Sequence, residues 1–187
     1  MTNRLYLNLG KLKFKDISLD ARISGRGRWS TGVAVADING DGWQDMYVCT
    51  SNHLDPEMRR NQLYINEGLN DKGIPVFTEQ SRKYGVDDEG YSTHAAFFDY
   101  DNDGDLDVLV TGRQLPRTYP LPADSYLLKN DNGKLINVTA EIAPELLGLG
   151  MATDAIWSDT DLDGDLDFMI VGEWMALTLF ENENGRF

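Results

Sequence analysis

The sequence predicts an all-β chain built from tandem repeats, and three observations carry that prediction. A strand-like segment ending in aspartate recurs three times at nearly constant spacing. Each copy opens onto an aspartate- and glycine-rich loop of nine residues. Short apolar runs rich in Val, Ile, Phe, Tyr and Trp follow each loop, bounded by Gly, Asn and Asp. Such runs indicate strands joined by tight turns rather than helices.

Taken in order, the chain starts with Leu5-Tyr6-Leu7-Asn8-Leu9-Gly10 and a second run from Phe14 to Ser18. The three repeated segments are Ser30 to Asp37, Ser92 to Asp99 and Ala152 to Asp159, which align without gaps. Their closing aspartates lie 62 and 60 residues apart, from Asp37 to Asp99 and from Asp99 to Asp159. After the loops come Met46 to Cys49, Val108 to Val110 and Phe168 to Val171. Leu63-Tyr64-Ile65-Asn66 then has counterparts in Leu127-Leu128-Lys129-Asn130 and Leu179-Phe180-Glu181-Asn182, and resembles the opening Leu5 to Asn8. A last strand spans Phe77 to Ser81 and Leu135 to Thr139, and the third unit stops at Phe187 before one can form. Glu141 to Leu147 is expected to make one helical turn. Four strands in roughly 60 residues is the content of one β-propeller blade. The expected division is a partial blade at 3–28, then blades at 29–90, 91–150 and 151–187, the last truncated.

The loops point to calcium. They read Asp37-Ile38-Asn39-Gly40-Asp41-Gly42-Trp43-Gln44-Asp45, Asp99-Tyr100-Asp101-Asn102-Asp103-Gly104-Asp105-Leu106-Asp107 and Asp159-Thr160-Asp161-Leu162-Asp163-Gly164-Asp165-Leu166-Asp167. Calcium takes about 6 to 8 oxygen ligands. Positions 1, 3 and 5 can turn side-chain oxygens inward, and position 9 returns a carboxylate. Position 7 offers a main-chain carbonyl (Trp43, Asp105, Asp165), and glycine at position 6 permits the sharp turn. Carboxylates packed so closely repel one another unless a cation intervenes. The loops hold 13 of the 31 acidic residues, so they account for much of the formal charge of −14. An EF-hand needs a bidentate Glu at position 12 and flanking helices. Position 12 is Val48, Val110 or Ile170, inside an apolar strand, so that reading is rejected. Up to three ions are expected, with the first loop the weakest because Asn39 replaces a carboxylate.

These residues resemble FG-GAP or VCBS repeats, the calcium-loop blades of integrin α-subunit propellers and many bacterial surface proteins. The likeness is most specific over Gly32 to Cys49, Ala95 to Val110 and Ala155 to Val171. The Leu-Tyr-Ile-Asn-Glu-Gly and Phe-Thr-Glu segments resemble the bacterial VCBS subgroup with ASPIC/UnbV-type proteins. This resemblance implies propeller blades with calcium in the hairpin between the first two strands. The integrin Phe-Gly…Gly-Ala-Pro signature is absent, so integrin-like ligand recognition is not implied. Propellers close with about 4 to 8 blades. The chain is therefore expected to be an excerpt of a longer propeller, or a piece that assembles with other copies or adjoining blades.

Composition narrows the function classes. With 31 acidic against 17 basic residues, nucleic acid and anionic membrane surfaces are disfavoured. No run approaches the roughly 18 to 20 apolar residues of a membrane span, and no signal-peptide pattern opens the segment. Cys49 is the only cysteine. It falls in an apolar run and reads as a small buried hydrophobe, which leaves no internal disulfide or C-x-x-C chemistry. G-x-S-x-G, H-E-x-x-H and Walker A patterns are also absent. His94 aligns with Gly32 and Asp154 and reads as structural, and the Asn137-Val138-Thr139 sequon is expected to lie in a strand. The insertions Ser51 to Arg60 and Gly112 to Asp124 depart from the minimal repeat, and recognition on repeat scaffolds usually resides in such loops.

The expected function is a non-enzymatic, calcium-stabilised binding or adhesion scaffold with a protein or glycan ligand. Its expected location is extracellular, cell-surface or periplasmic, where calcium is abundant. The alternatives are the scaffold of a carbohydrate-active enzyme and an oligomer-forming assembly piece.

Overall fold

The computed structural model describes residues 2–187. It is all-β, with four antiparallel sheets. The first pairs β1 (Tyr6–Asn8) with β2 (Phe14–Asp16). The second is a meander of β3 (Ser30–Ala36), β4 (Asp45–Thr50), β5 (Gln62–Leu69) and β6 (Pro75–Glu79). The third repeats it with β7 (Ser92–Phe98), β8 (Asp107–Gly112), β9 (Tyr126–Asp131) and β10 (Lys134–Asn137). The fourth has β11 (Met151–Ser158), β12 (Asp167–Glu173) and β13 (Thr178–Phe180). Each of the last three sheets begins with the strand that leads into an aspartate loop, and those strands lie side by side, β3 against β7 and β7 against β11. The arrangement is that of successive propeller-like blades.

Neighbouring sheets pack on one another through their buried residues, so the core is a row of three clusters. One, with Ile17, Ile23, Tyr64 and Phe77, lies between the leading hairpin and the second sheet. Another, with Tyr47, Leu63, Ile65, Val108 and Val110, joins the second and third sheets. The last gathers Leu109, Leu127, Phe168, Ile170 and Phe180 between the third and fourth. Aromatic rings cross both later junctions: Tyr47 meets Phe97 edge-on at 5.9 Å, and Phe98 stacks on Trp157. A repeat stabilised through its neighbours in this way has little core of its own.

The first strands are also stapled to one another. Thr31 Oγ1 donates to the Ser92 carbonyl at 2.7 Å, and Thr93 Oγ1 donates to the Ala152 carbonyl at 3.0 Å. The threonine recurring in Ser-Thr, Ser-Thr and Ala-Thr is thus a blade-to-blade link in the first two copies. Gly32 lets β3 approach closely, because a Cβ there would sit 2.2 Å from the Thr93 carbonyl oxygen.

The strand ends differ from the sequence expectation wherever side chains bend the backbone. The expected strand over Phe77 to Ser81 stops at Glu79, whose Oε1 accepts from the Ser81 N–H at 3.0 Å, and helix α2 (Ser81–Tyr84) begins. The expected strand over Leu135 to Thr139 stops at Asn137 for the same reason: its Oδ1 accepts from the N–H and hydroxyl of Thr139. The sequon therefore straddles a strand end and helix α3 (Thr139–Ile142) rather than lying within a strand. The turn expected over Glu141 to Leu147 is divided between α3 and a 3-10 turn, Pro144–Leu146, because proline prevents continuation. The insertion after β4 contains helix α1 (Pro56–Arg59), opened by the Asp55 carboxylate accepting from Glu57 N–H.

Candidate metal loops

Each nine-residue loop joins the first strand of a blade to the second, and hydrogen bonds to its own aspartates hold it in shape. The first-position carboxylate accepts from two backbone N–H groups. Asp37 receives Asp41 and Gly42 (3.1 and 2.8 Å), and Asp99 receives Asp103 and Gly104 (3.1 and 2.9 Å). Asp159 receives Leu162 and Gly164 (2.7 and 3.2 Å). Fifth-position Asp41, Asp103 and Asp163 accept from the N–H groups of Trp43, Asp105 and Asp165 at 2.8, 3.0 and 2.9 Å. The glycine at position 6 is left-handed in all three loops, as the turn requires (φ +87°, +94° and +100°). Position 4 is left-handed too, and there the residues are Gly40, Asn102 and Leu162 (φ +69°, +59° and +66°).

The ninth-position aspartates are the most deeply set: Asp45, Asp107 and Asp167 are buried. One carboxylate oxygen of each accepts from the N–H of the residue after the first aspartate, namely Ile38, Tyr100 and Thr160. The other accepts from the main chain on the third strand or just past it, through the N–H of Asn66, Asn130 and Asn182 at 2.8, 2.7 and 2.9 Å. Those asparagines complete the lock with their own side chains. Their amides donate to the eighth-position carbonyls of Gln44, Leu106 and Leu166 at 3.2, 3.1 and 3.2 Å. Their Oδ1 atoms accept from Gly68, Gly133 and Gly185 N–H at 3.0, 2.8 and 2.7 Å. Sequence reasoning assigned these asparagines no role. Their recurrence at one place in every repeat, Asn8 included, was the available signal; Asn8 likewise accepts from Gly10 N–H at 2.8 Å.

Two loops gather three carboxylates each. Asp99, Asp101 and Asp107 place one oxygen apiece within 4.8 Å of one another, and so do Asp159, Asp161 and Asp167. Asp103, Asp105, Asp163 and Asp165 stand outside these clusters. Asp165 Oδ1 instead accepts from Asn102 Nδ2 at 3.1 Å, which ties the third loop to the second. In the first loop Asn39 replaces the third-position carboxylate, and its amide donates to Asp41 Oδ2 at 2.9 Å. Among the described residues that loop brings no three carboxylates together.

The charge state follows from this packing. Burial pushes Asp107 up to about 7, and Asp101 and Asp103 add to the rise against the N–H groups of Asn130 and Tyr100. Burial raises Asp45 as well. It acts in the same direction on Asp167 but is outweighed there by the Thr160 hydroxyl and the N–H groups of Asn182 and Thr160, so that carboxyl lies below its ordinary range. Threonine stands where the other loops have Ile38 and Tyr100. A cation would offset the part of that rise that comes from Asp101 and Asp103.

The donors are all oxygen, which suits a hard cation such as calcium. Asp101 Oδ1 is buried without a hydrogen-bond partner, as an oxygen reserved for a cation would be. The other oxygen of Asp101 and Asp103 Oδ2 are engaged by Lys129 Nζ, the latter at 3.2 Å. Elsewhere, Cys49 is fully buried and burial pushes its thiol up, the environment of an inert cysteine. His94 Nε2 lies 3.4 Å from Asp154 on the neighbouring first strand.

Comparison with known families agrees with the repeat reading at the start of the chain. Residues 1–48 match an FG-GAP-like repeat. The matched span runs from the leading hairpin through β3 and the first aspartate loop into β4, and so crosses from one sheet to the next. No curated protein matches the chain. No helix among the described residues is long and apolar enough to cross a membrane.

Proposed function

We propose that this chain is a calcium-stabilised, propeller-type binding scaffold without catalytic activity, in which calcium is structural and recognition belongs to the connections between blade strands. The observation that carries the reading is the pair of three-carboxylate clusters at Asp99, Asp101 and Asp107 and at Asp159, Asp161 and Asp167. Each cluster joins a loop to the strand that follows it, so an ion there would tie the first two strands of a blade together. Asn39 makes the first loop the weakest of the three. Calcium sites of extracellular modules commonly have affinities near ~10⁻⁴ to 10⁻³ M, which fill where calcium is abundant. The chain's ligand would be a protein or a glycan, and its surroundings the cell surface, the periplasm or the extracellular space.

Thermal melting with and without chelator tests the proposal. At ~10 mM calcium and such affinities, each occupied loop contributes about 1.4 to 2.7 kcal/mol by mass action. Two loops would raise the midpoint by about 6 to 22 °C, at roughly 2 to 4 °C per kcal/mol for a chain of this size. An identical midpoint in EGTA would sink the reading.

A further inference from the structure

The three repeats allow one position to be compared in three copies. Ile65, Lys129 and Glu181 each immediately precede the locking asparagine, on the third strand or just past its end, and follow residues in matching register: Tyr64 opposite Met46, Leu128 opposite Val108 and Phe180 opposite Phe168. Ile65 is buried in the core and Glu181 is exposed. Lys129 does neither. It is half-buried on β9, and its ammonium reaches Asp101 and Asp103, the third and fifth positions of the second loop. Asp101 is left with one oxygen paired to this ammonium and the other buried without a partner.

We propose that Lys129 is a resident counter-cation of the second loop, holding that loop's charge when no divalent ion is bound and competing with calcium for Asp101 and Asp103. This rests on the calcium reading above and adds a ranking to it. The second and third loops have the same carboxylates at positions 1, 3, 5, 7 and 9, so loop composition alone makes them equivalent sites. A tethered positive charge beside the second loop breaks that equivalence: it opposes an incoming cation and occupies oxygens the ion would take. The third loop is then the tighter site. The second keeps its shape in calcium-poor solution and fills last of the two.

The test uses the whole chain, with K129M to remove the charge at nearly constant length and K129R to keep it. A calcium titration followed by the amide resonances of Gly42, Gly104 and Gly164 reads each loop separately. In the unaltered protein Gly104 should respond at higher calcium than Gly164. In K129M the Gly104 midpoint should fall about tenfold, the order expected when a unit charge a few ångströms away is removed, while Gly164 stays put. K129R should behave as the unaltered protein. In EGTA, K129M should melt lower than the unaltered protein, because Asp101 and Asp103 lose the ammonium that pairs with them. A Gly104 midpoint unmoved by K129M while Gly164 responds overturns the competition, and an unchanged melt in EGTA overturns the counter-cation. Should no glycine respond to calcium in any variant, the calcium reading fails and the competition with it, and the EGTA melts alone decide the role of Lys129.

Discussion

Asn130→Ala tests the asparagine lock, which positions the second loop without contributing a metal ligand. The side chain is 2 % exposed and makes two hydrogen bonds, donating to the Leu106 carbonyl at 3.1 Å and accepting from Gly133 N–H at 2.8 Å. The main-chain bond from Asn130 N–H to Asp107 survives truncation, so the variant isolates the side chain. A net hydrogen bond is worth about 1 kcal/mol, and a buried group left unpaired costs about 1 to 3 kcal/mol. Two such losses give about 2 to 4 kcal/mol, a fall of about 5 to 15 °C in the melting midpoint. Lys134→Ala, at an exposed position on the neighbouring strand, should stay within ~0.5 kcal/mol and serves as control. Urea denaturation and calorimetric melts, each with calcium and with EGTA, measure the effect. The loss should persist in EGTA, because the amide holds the loop to the strand whether or not an ion is present. A shift below about 2 °C would refute the lock. A shift seen only with calcium would show that Asn130 acts through the metal instead.

Three further outcomes follow from the same geometry. Gly32→Ala places a methyl against the Thr93 carbonyl, where β3 and β7 meet, and should cost about 1 to 3 kcal/mol in a urea titration; an unchanged midpoint would mean that the two strands can separate freely. Leu162→Asn should raise the melting midpoint by about 1 to 4 °C, because an exposed leucine at φ +66° bears a left-handed penalty of about 1 kcal/mol that Asn102 largely avoids in the second loop. Burial raises Asp88 above the ordinary carboxylate range, assisted by Glu89 and Asp87 and opposed by Gly90 N–H. Its folded form therefore binds a proton more tightly than the unfolded chain, and its contribution to stability is lost as pH rises from about 4 through the raised value. Asp88→Asn keeps an oxygen for Gly90 N–H and should flatten that fall; melts in EGTA from pH 4 to 8 with the same slope in both proteins would count against it.

The hydrophobic runs made the strands legible because their faces alternate against cores on both sides. Val108 to Val110 and Phe168 to Val171 sit within the strands that follow the loops, and each observed strand extends one to two residues beyond them at either end. Glycine at position 6 was legible because an Asp-Gly turn admits few alternatives. What the sequence concealed were contacts between distant residues. Nothing local in Leu127-Leu128-Lys129-Asn130 shows that the asparagine reaches back to Leu106, or that the lysine reaches Asp101. The short helices were hidden for another reason. Glu79 and Asn137 end their strands with side-chain bonds to the backbone two residues on, a choice that propensity alone does not make.

The alternation of strand direction separates the molecule's two ends. In each antiparallel meander, the aspartate loop and the turn between the third and fourth strands fall at one end. The connection between the second and third strands falls at the other. At the first end a shared recess brings Asp37 and Asn39 of one blade beside Asn132 and Gly133 of the next. The loops there repeat, as structural ties should. At the opposite end no two connections are alike. The first carries α1 and the network of Arg60 with Glu57, Asp87 and Glu89. The second is the proline-rich excursion closed by the Gln114–Pro122 bridge. The third is the short turn at Trp174, 82 % exposed, whose indole N–H donates to the Tyr119 hydroxyl of the second. Constancy at one end and variation at the other is the pattern of a scaffold that fixes its frame once and varies what it presents. The proposed ligand is therefore sought at the end bearing Tyr119 and Trp174, away from the aspartate loops.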